Sequence, residues 1–319
     1  MGAARPFRFG VINERMTTGA DWLEQARRVE ALGYDTFLIR DHFVPDYFGD
    51  QFAPFPALMA AAAVTERLRI GTLVIDNDYR HPVMLAKETA TLDLLSGGRL
   101  ELGIGAGWLR REYDVAGMPY DGAGMRIDRL AEGLAVLNGL WGDGPVHLSG
   151  THFQIDGLEG FPKPMQTPRP PIMIGGGRPR MLRLAGREAD IIGVLTTGVG
   201  TGVVVDDPRA RMTAAVAEQV GWIREGARER FDEIELSTVA DLTITDDRRG
   251  VTEALIARRG WRGISVEDVW DMPAIYIGSL DQIVEDMVRR RAELGFSYVV
   301  IADEDQEACA PLVARLAGG

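Results

Sequence analysis

Lysine is nearly missing from this chain. Only Lys87 and Lys163 occur among 319 residues, so arginine supplies almost all of the 35 basic side chains. A lysine Schiff base needs an amine at a defined position, and only these two side chains could provide one. The sequence therefore disfavours lysine-dependent chemistry, including that of a barrel aldolase.

Cysteine and histidine are scarce as well. Cys309 is the only cysteine, which excludes an intramolecular disulfide and fits a reducing cytoplasm. The four histidines, His42, His81, His147 and His152, are scattered along the chain. Neither an HExxH motif nor paired cysteines occur, so the pattern predicts no metal site.

Long hydrophobic segments and basic runs are also missing. The longest apolar run covers residues 56–64, whereas a membrane helix needs about 20 residues. The first residues lack the apolar stretch of a signal peptide. The formal charge is −12, which disfavours binding to a nucleic-acid backbone. We therefore expect a cytoplasmic protein with neither nucleic-acid nor membrane partners.

Short apolar runs alternate with helical periods along most of the chain. The predicted strands cover 7–12, 36–39, 68–75, 99–105, 171–174, 190–195, 235–244 and 297–302. Such alternation is typical of a parallel α/β sheet, either an open doubly wound sheet or a closed barrel. The length and the polar or glycine-rich strand ends favour closure, because a barrel gathers these ends on one face. We predict an α/β fold, a (β/α)8 TIM barrel with insertions.

Two segments do not fit the simple βα repeat. The first, 146–155, predicts a small hairpin that turns at Ser149-Gly150. The second, 246–273, predicts an additional helical segment outside the repeat. Because no low-complexity linker separates them from the rest, we expect one domain over 1–319, with insertions near 143–160 and 246–273.

Polar or glycine-rich groups follow four of the predicted strands. They are Asp41-His42, Asp76-Asn77, residues 105–108 (GAGW) and residues 175–178 (GGGR). The carboxyl ends of parallel strands meet at the same face of a barrel. We therefore expect all four groups to line one cleft.

The glycines at 175–177 precede Arg178 and a predicted helix. Successive glycines allow backbone N–H groups to approach an anion, and the helix start adds positive partial charge. A tight strand-to-helix turn that merely needs glycine is the alternative interpretation, and these residues alone do not distinguish the two. A Rossmann GxGxxG motif is absent from its usual place after the first strand.

His42 and Trp108 are candidates for a chemical role. A histidine at the carboxyl end of a barrel strand can exchange a proton with a substrate near neutral pH. The adjacent Asp41 can orient the histidine ring or cap the next turn. Trp108 can form the wall of a pocket for an aromatic ligand. A structural histidine and a tryptophan packed at the rim are the alternatives.

The whole pattern resembles the luciferase-like monooxygenase superfamily, in particular its oxidoreductases that use the deazaflavin coenzyme F420. The resembling stretches are ALGYDTFLIRDHF, RIGTLVI, HPVMLAKETATLDLLSGGRLELGIGAGW, FPKPMQTPRPPIMIGGG and YIGSLDQIVEDMVRRRAELGFSYVVI. Their order and spacing extend over most of the chain. The resemblance implies a barrel with insertions and a cofactor at its mouth.

The resemblance also implies a role for each strand-end group. His42, with Asp41 beside it, matches the family's histidine near the reactive face of the ring system. Leu73-Val74 matches a bulge, often with a non-proline cis peptide, that supports the back of the ring.

The remaining implied cofactor contacts lie after three strands. Asn77 and Gly107 match positions near the ring and its chain, and Trp108 lies beside them. The family's phosphate-binding loop, which we call the phosphate cradle, is matched by Gly175, Gly176, Gly177 and Arg178.

The resemblance implies hydride transfer between coenzyme F420 and a small organic substrate. Arginines near the mouth would suit the acidic tail of this coenzyme, and they are Arg110, Arg111, Arg178 and Arg180. Flavin mononucleotide (FMN) in a luciferase-like monooxygenase and a non-catalytic flavin- or deazaflavin-binding protein are the alternatives. A homodimer is left open.

The chain departs from the sugar-phosphate dehydrogenase branch at three places. Trp108 stands where that branch has an acidic residue, and Asp46 stands where it has a tryptophan. Segment 196–200 lacks the lysine that follows the sixth strand there. We therefore expect a less polar pocket and a substrate other than a phosphorylated sugar.

Overall fold

The computed structural model describes residues 5–14, 18–196, 198 and 202–318. Its strands are β1 Arg8–Ile12, β2 Thr36–Ile39, β3 Arg69–Thr72, β4 Ile75–Asp76, β5 Leu100–Gly105, β6 Val146–Ser149, β7 Gln154–Leu158, β8 Ile172–Gly176, β9 Ile191–Val194, β10 Glu235–Val239, β11 Asp241–Ile244, β12 Ile275–Gly278 and β13 Phe296–Ala302. Its helices are α1 Gly19–Ala31, α2 Pro54–Ala63, α3 Pro82–Leu95, α4 Arg110–Ala116, α5 Ala123–Trp141, α6 Pro179–Glu188, α7 Thr213–Ala227, α8 Arg248–Arg259, α9 Val266–Asp271, α10 Leu280–Leu294 and α11 Gln306–Leu316. Short 3-10 turns cover Asn77–Tyr79, Pro208–Arg211, Arg228–Glu233 and Asp303–Asp305.

Parallel pairing closes the main sheet into a ring. The strands follow the order β3-β2-β1-β13-β10-β9-β8-β5, and β3 also pairs with β5. The short strand β4 continues β3 after the Leu73-Val74 peptide and pairs with β5. The eight-stranded barrel confirms the predicted (β/α)8 fold and excludes the open sheet.

The local sequence explains where the elements begin. Capping boxes open α1 at Thr18 and α10 at Ser279, and Pro82 occupies the first turn of α3. Apolar side chains that alternate along the strands fill the barrel interior, namely Ile12, Leu38, Met173, Ile191, Tyr298 and Val300. Larger apolar clusters lie between the strands and the surrounding helices.

The prediction of one strand over 235–244 is wrong. The N–H of Ala240 still bonds the carbonyl of Val300, but the N–H of Asp241 bonds the carbonyl of Ala274. The chain therefore leaves the barrel at this point, and β11 pairs with β12, a strand that the sequence analysis missed. Apolar alternation continues across the break, so the pattern alone could not reveal the change of partner.

Two excursions decorate the barrel. Strands β6 and β7 form the expected antiparallel hairpin, although its turn covers 150–153 and not Ser149-Gly150. Helices α8 and α9 form the excursion before β12 and pack around an apolar cluster of their own. Among the described helices, none is long and apolar enough to cross a membrane.

Ion pairs close the amino-terminal end of the barrel. Arg8 pairs with Asp35, Glu101 and Glu235 at 2.7 to 2.8 Å, and its guanidinium lies 3.7 Å from the ring centre of Tyr298. A cavity of about 500 Å³ opens beside this cluster. Because active sites of TIM barrels lie at the carboxyl ends of the strands, this end contributes to stability and the candidate site lies at the opposite end.

Candidate active site

A pair of apolar residues caps the barrel core at the carboxyl ends of the strands. Leu73 and Val74 are joined by a non-proline cis peptide bond, as the resemblance implied, and Leu73 packs on the interior cluster. The Val74 methyl groups lie 3.0 and 2.9 Å from where a Cβ would stand at Gly103 and at Gly105. Both residues of the pair are half-buried. They form what we call the shelf, residues 73–74.

Beside the shelf, two paired strands carry glycine. Gly175 of β8 and Gly193 of β9 are partners in the sheet register. A Cβ at Gly175 would lie 3.8 Å from Val74, and a Cβ at Gly193 would lie 3.7 Å from the Gly175 Cα, both ordinary contacts. The protein has room for these side chains, so their absence leaves an open floor on which a flat ring can lie. Gly193 was not identified from the sequence.

The loop after β8 presents backbone donors. The N–H groups of Gly177 and Arg178 have no acceptor among the described residues. The Gln219 side chain donates to the carbonyls of Gly177 (3.1 Å) and Leu195 (2.8 Å), which holds the loop against β9. This arrangement, directly before α6, suits an anionic group.

Gly176 lies apart from these donors. A Cβ there would stand 2.7 Å from Met181 Cγ, so this glycine allows β8 to pack against α6 and does not face the floor. Three of the four arginines expected to serve a cofactor tail are paired with carboxylates. Arg110 pairs with Asp114, Arg111 with Asp46 and Arg180 with Asp128, whereas Arg178 has no ionic partner in the described part of the chain.

His42 is held by a buried carboxylate that the sequence analysis did not select. The His42 Nδ1 lies 3.0 Å from Glu112 Oε2, and Tyr79 donates its hydroxyl to the same oxygen at 2.8 Å. The backbone N–H groups of Phe43 and Val44 donate to Oε1. Burial opposes the charge, but the interactions with His42, the Phe43 N–H and Tyr79 lower the pKa of Glu112.

The short helix α4 places Glu112 one turn after Trp108. This helix was absent from the predicted elements, so its carboxylate was not considered. An acidic residue in the first turn of a helix that follows a barrel strand was the available signal.

Aromatic side chains surround the His42 ring. Phe48 stacks on it with ring centres 5.1 Å apart, and Trp108 meets it edge-on at 5.9 Å. Tyr47 packs against Trp108 at 5.5 Å. The Tyr120 hydroxyl donates to the Trp108 carbonyl at 2.9 Å. The mouth therefore has an apolar wall on the His42 side.

Asp41 and Asn77 have mainly internal contacts. Asp41 accepts two hydrogen bonds from Arg80, at 2.6 and 3.2 Å, and one from the N–H of Asp76. It thereby joins the loops that follow β2 and β4. Asn77 is buried against Gly133 of α5, and its Nδ2 has no hydrogen-bond partner.

Gly107 crosses directly over a second buried carboxylate. Its φ is 70°, and a Cβ there would stand 1.9 Å from the Tyr113 hydroxyl and 2.4 Å from Asp76 Oδ2. Tyr113 donates to Asp76 at 2.7 Å. Burial, reinforced by the charges of Asp78 and Asp41, raises the pKa of Asp76 to about 7. Only glycine allows the backbone to pass this close.

Asp76→Asn should change how stability depends on pH. The folded protein holds the Asp76 proton more tightly than the unfolded chain does, so the stability from this group is present below about pH 4 and is lost as pH rises through about 7. The free energy of unfolding of the wild type, relative to the variant, should fall by about 2 to 3 kcal/mol between pH 5 and pH 8. Urea titrations at both pH values measure this, and a pH-independent difference would show that Asp76 is already ionised at pH 5.

Comparisons with known proteins agree with this architecture. The family model described as luciferase-like monooxygenase matches residues 1–265. The chain belongs to the luciferase-like monooxygenase family. A protein from Amycolatopsis mediterranei named F420-dependent glucose-6-phosphate dehydrogenase is 28% identical over 94% of this chain and 86% of its own length. One of the same name from Intrasporangium calvum is 30% identical over 86% of each chain.

A solved structure gives the same fold. The coenzyme F420-dependent tetrahydromethanopterin reductase from Methanopyrus kandleri has a TM-score of 0.74 and 21% identity, over 98% of this chain and 99% of that one. The chain of the present protein has its non-proline cis peptide at Leu73-Val74, the position that the family resemblance implied.

In the described residues, no group of three His, Cys, Asp or Glu side chains is arranged to hold a metal ion.

A cationic side chain lies at the end of β9, although segment 196–200 itself contains none. This side chain is Arg211, which comes from later in the chain. Thr197, Val199 and Gly200 lie outside the described residues, but Thr196 contacts Arg211, whose Nη1 is 3.4 Å from its hydroxyl. Asp206 pairs with Arg211 at 2.7 Å and with Arg259 at 3.0 Å, and Arg259 also pairs with Asp241. Two arginines are thus balanced by two carboxylates, so this part of the mouth has little net charge.

Proposed function

We propose that this luciferase-like protein is an oxidoreductase that transfers hydride between coenzyme F420 and an uncharged alcohol or carbonyl compound. The shelf follows β3, next to the strand β2 that precedes His42, and the glycine floor lies on β8 and β9. The observation that carries the proposal is this open floor and shelf at the same end of the barrel as the His42–Glu112 pair. A flat redox ring needs the first feature, and proton exchange with a substrate needs the second. The names of the relatives from Amycolatopsis and Intrasporangium support the choice of cofactor.

The residues at the mouth fit this cofactor. Val74 would support the ring from behind, over the floor formed by Gly175 and Gly193. The N–H groups of Gly177 and Arg178 and the Arg178 guanidinium, which have no partner among the described residues, would hold the phosphate. Bound coenzyme supplies a ring carbon that accepts or donates a hydride.

His42 would accept or donate the substrate proton. Oxidation of an alcohol removes a hydride from its carbon and a proton from its hydroxyl, and His42 would accept that proton. In the reverse direction His42 returns that proton to the carbonyl oxygen. Phe48 stacks on the imidazole and Trp108 packs nearly perpendicular to it, which leaves the His42 side chain only 11% exposed.

Glucose 6-phosphate is the second candidate substrate. The relatives' names suggest it, and Arg211 and Arg259 near the ends of β9 and β10 are the observation that favours it. Asp206 and Asp241 already neutralise both cations, and Trp108 makes the wall apolar. These features favour an uncharged substrate.

Cofactor binding provides the direct test. Titration of the purified protein, followed by absorbance and fluorescence, should show tight binding of coenzyme F420 and at least tenfold weaker binding of FMN. No substrate-dependent oxygen uptake is expected. A protein that purifies yellow with flavin and consumes oxygen with reduced flavin would instead be a monooxygenase. Binding of F420 without turnover of any alcohol tested would favour the non-catalytic alternative.

Matched substrates separate the two candidates. Reduction of bound F420 by a panel of secondary alcohols, by glucose and by glucose 6-phosphate should favour the uncharged compounds. A kcat/KM for glucose 6-phosphate at least tenfold above that for glucose would overturn the preference. In that case Arg211→Ala should remove the difference.

A further inference from the structure

We propose that Glu112 is a positioning residue that fixes the His42 tautomer, with the proton on Nδ1 and a lone pair on Nε2. The inference deepens the proposed function, because it says which nitrogen of His42 exchanges a proton with the substrate. The tautomer itself is a property of the protein alone. It can therefore be tested without cofactor or substrate.

The donors around Glu112 determine the direction of its hydrogen bond with His42. Its Oε1 receives the N–H groups of Phe43 and Val44, which can only donate. Its Oε2 receives the hydroxyl of Tyr79, and burial together with nearby carboxylates raises the pKa of that phenol, so it keeps its proton. These three donors stabilise the charged form, and the pKa of Glu112 is lowered by its contacts with His42, the Phe43 N–H and Tyr79 despite burial. The carboxylate is therefore ionised, and an ionised carboxylate only accepts.

Nδ1 of His42 must therefore be the donor in the 3.0 Å contact with Oε2. A neutral imidazole carries one N–H, so Nε2 keeps its lone pair. Nε2 makes no hydrogen bond with any described residue. It is the ring nitrogen left for the substrate, and the carboxylate stabilises the imidazolium that forms when it takes a proton.

Packing keeps the ring in this orientation. Phe48 lies nearly parallel to the imidazole and Trp108 lies nearly perpendicular to it. The His42 side chain is 11% exposed and that of Glu112 only 1%. A ring flip that presented Nδ1 to the substrate would remove the His42 donor from the buried Glu112 carboxylate, which is costly.

Glu112→Gln should reverse the tautomer. The amide NH₂ cannot face the N–H groups of Phe43 and Val44, because two donors would then meet. It must face His42, where Nδ1 has to accept, so the proton moves to Nε2. This substitution keeps the size of the side chain, reverses the direction of the hydrogen bond and removes one negative charge.

Histidine labelled with ¹⁵N reports the tautomer directly. The chain has four histidines, and His42→Gln assigns the signal of interest. We expect the Nδ1–H form in the wild type and in Tyr79→Phe, which keeps the carboxylate, and the Nε2–H form in Glu112→Gln. Asp114→Asn, an exposed change of the same charge on α4, should match the wild type. An Nε2–H form in the wild type would overturn the proposal, even if Glu112→Gln fails to fold.

Kinetics give a second readout. Glu112→Gln should lower kcat for alcohol oxidation at least tenfold while the Kd for F420 changes less than threefold. Unchanged kcat in a variant whose tautomer is reversed would show that Nε2 is not the proton acceptor, and it would contradict the proposal. If F420 fails to bind the wild type, the proposed function fails, but the tautomer result stands by itself.

Discussion

His42→Gln is expected to lower kcat by roughly 10²-fold or more, the usual effect of removing a general acid or base. The affinity for F420 should change less than threefold, because the shelf and the donors after β8 lie on other strands. Glutamine can still donate a hydrogen bond to Glu112, so the buried carboxylate keeps a partner. Single-turnover reduction of bound F420 measures the chemical step, and a fluorescence titration measures binding.

The matched control for this variant is His147→Gln. That histidine lies on β6 and its side chain is 65% exposed, so its replacement should leave both constants unchanged. Equal turnover in His42→Gln and wild type would return His42 to a structural role. The proton would then have to leave through another group.

Gly175→Val is expected to weaken F420 binding at least tenfold, or about 1.4 kcal/mol. The Cβ fits, since its nearest neighbour would be Val74 Cγ1 at 3.8 Å, but the two further methyl groups would occupy the floor. Valine also suits a strand, so the fold should be kept. Comparing the Kd for F420 with the melting temperature separates a filled floor from a damaged barrel.

Gly221→Val provides the control for the floor variant. Apart from the neighbouring backbone of α7 itself, no described atom lies within 4 Å of a Cβ at this position, so binding should not change. Gly177→Val is a poorer probe, because its Cβ would stand 2.8 Å from the Leu195 carbonyl and would disturb the backbone. Wild-type affinity in a folded Gly175→Val protein would show that the ring binds elsewhere.

Much of the site could be anticipated because parallel strands end at the same face of a barrel. His42, Val74, Gly107 and the 175–178 segment each follow a different strand, and the structure places them at the carboxyl ends of neighbouring strands. The family resemblance implied the cis peptide at residues 73–74, and the structure contains it. The contact that each of these residues makes could not be anticipated, since Gly176 packs against α6 and does not face the floor.

The sequence by itself determined the strands of the barrel and several of its helices, because apolar periodicity and capping residues act over a few positions. It did not determine α4 or β12. Only the tertiary structure decided which strands and helices are partners. Glu112 meets His42 from 70 residues away, and Gly193 completes the floor beside Gly175. Strand 235–244 divides between two sheets in the same way. Periodicity reports whether a side chain is buried, whereas barrel closure selects the neighbour against which it is buried.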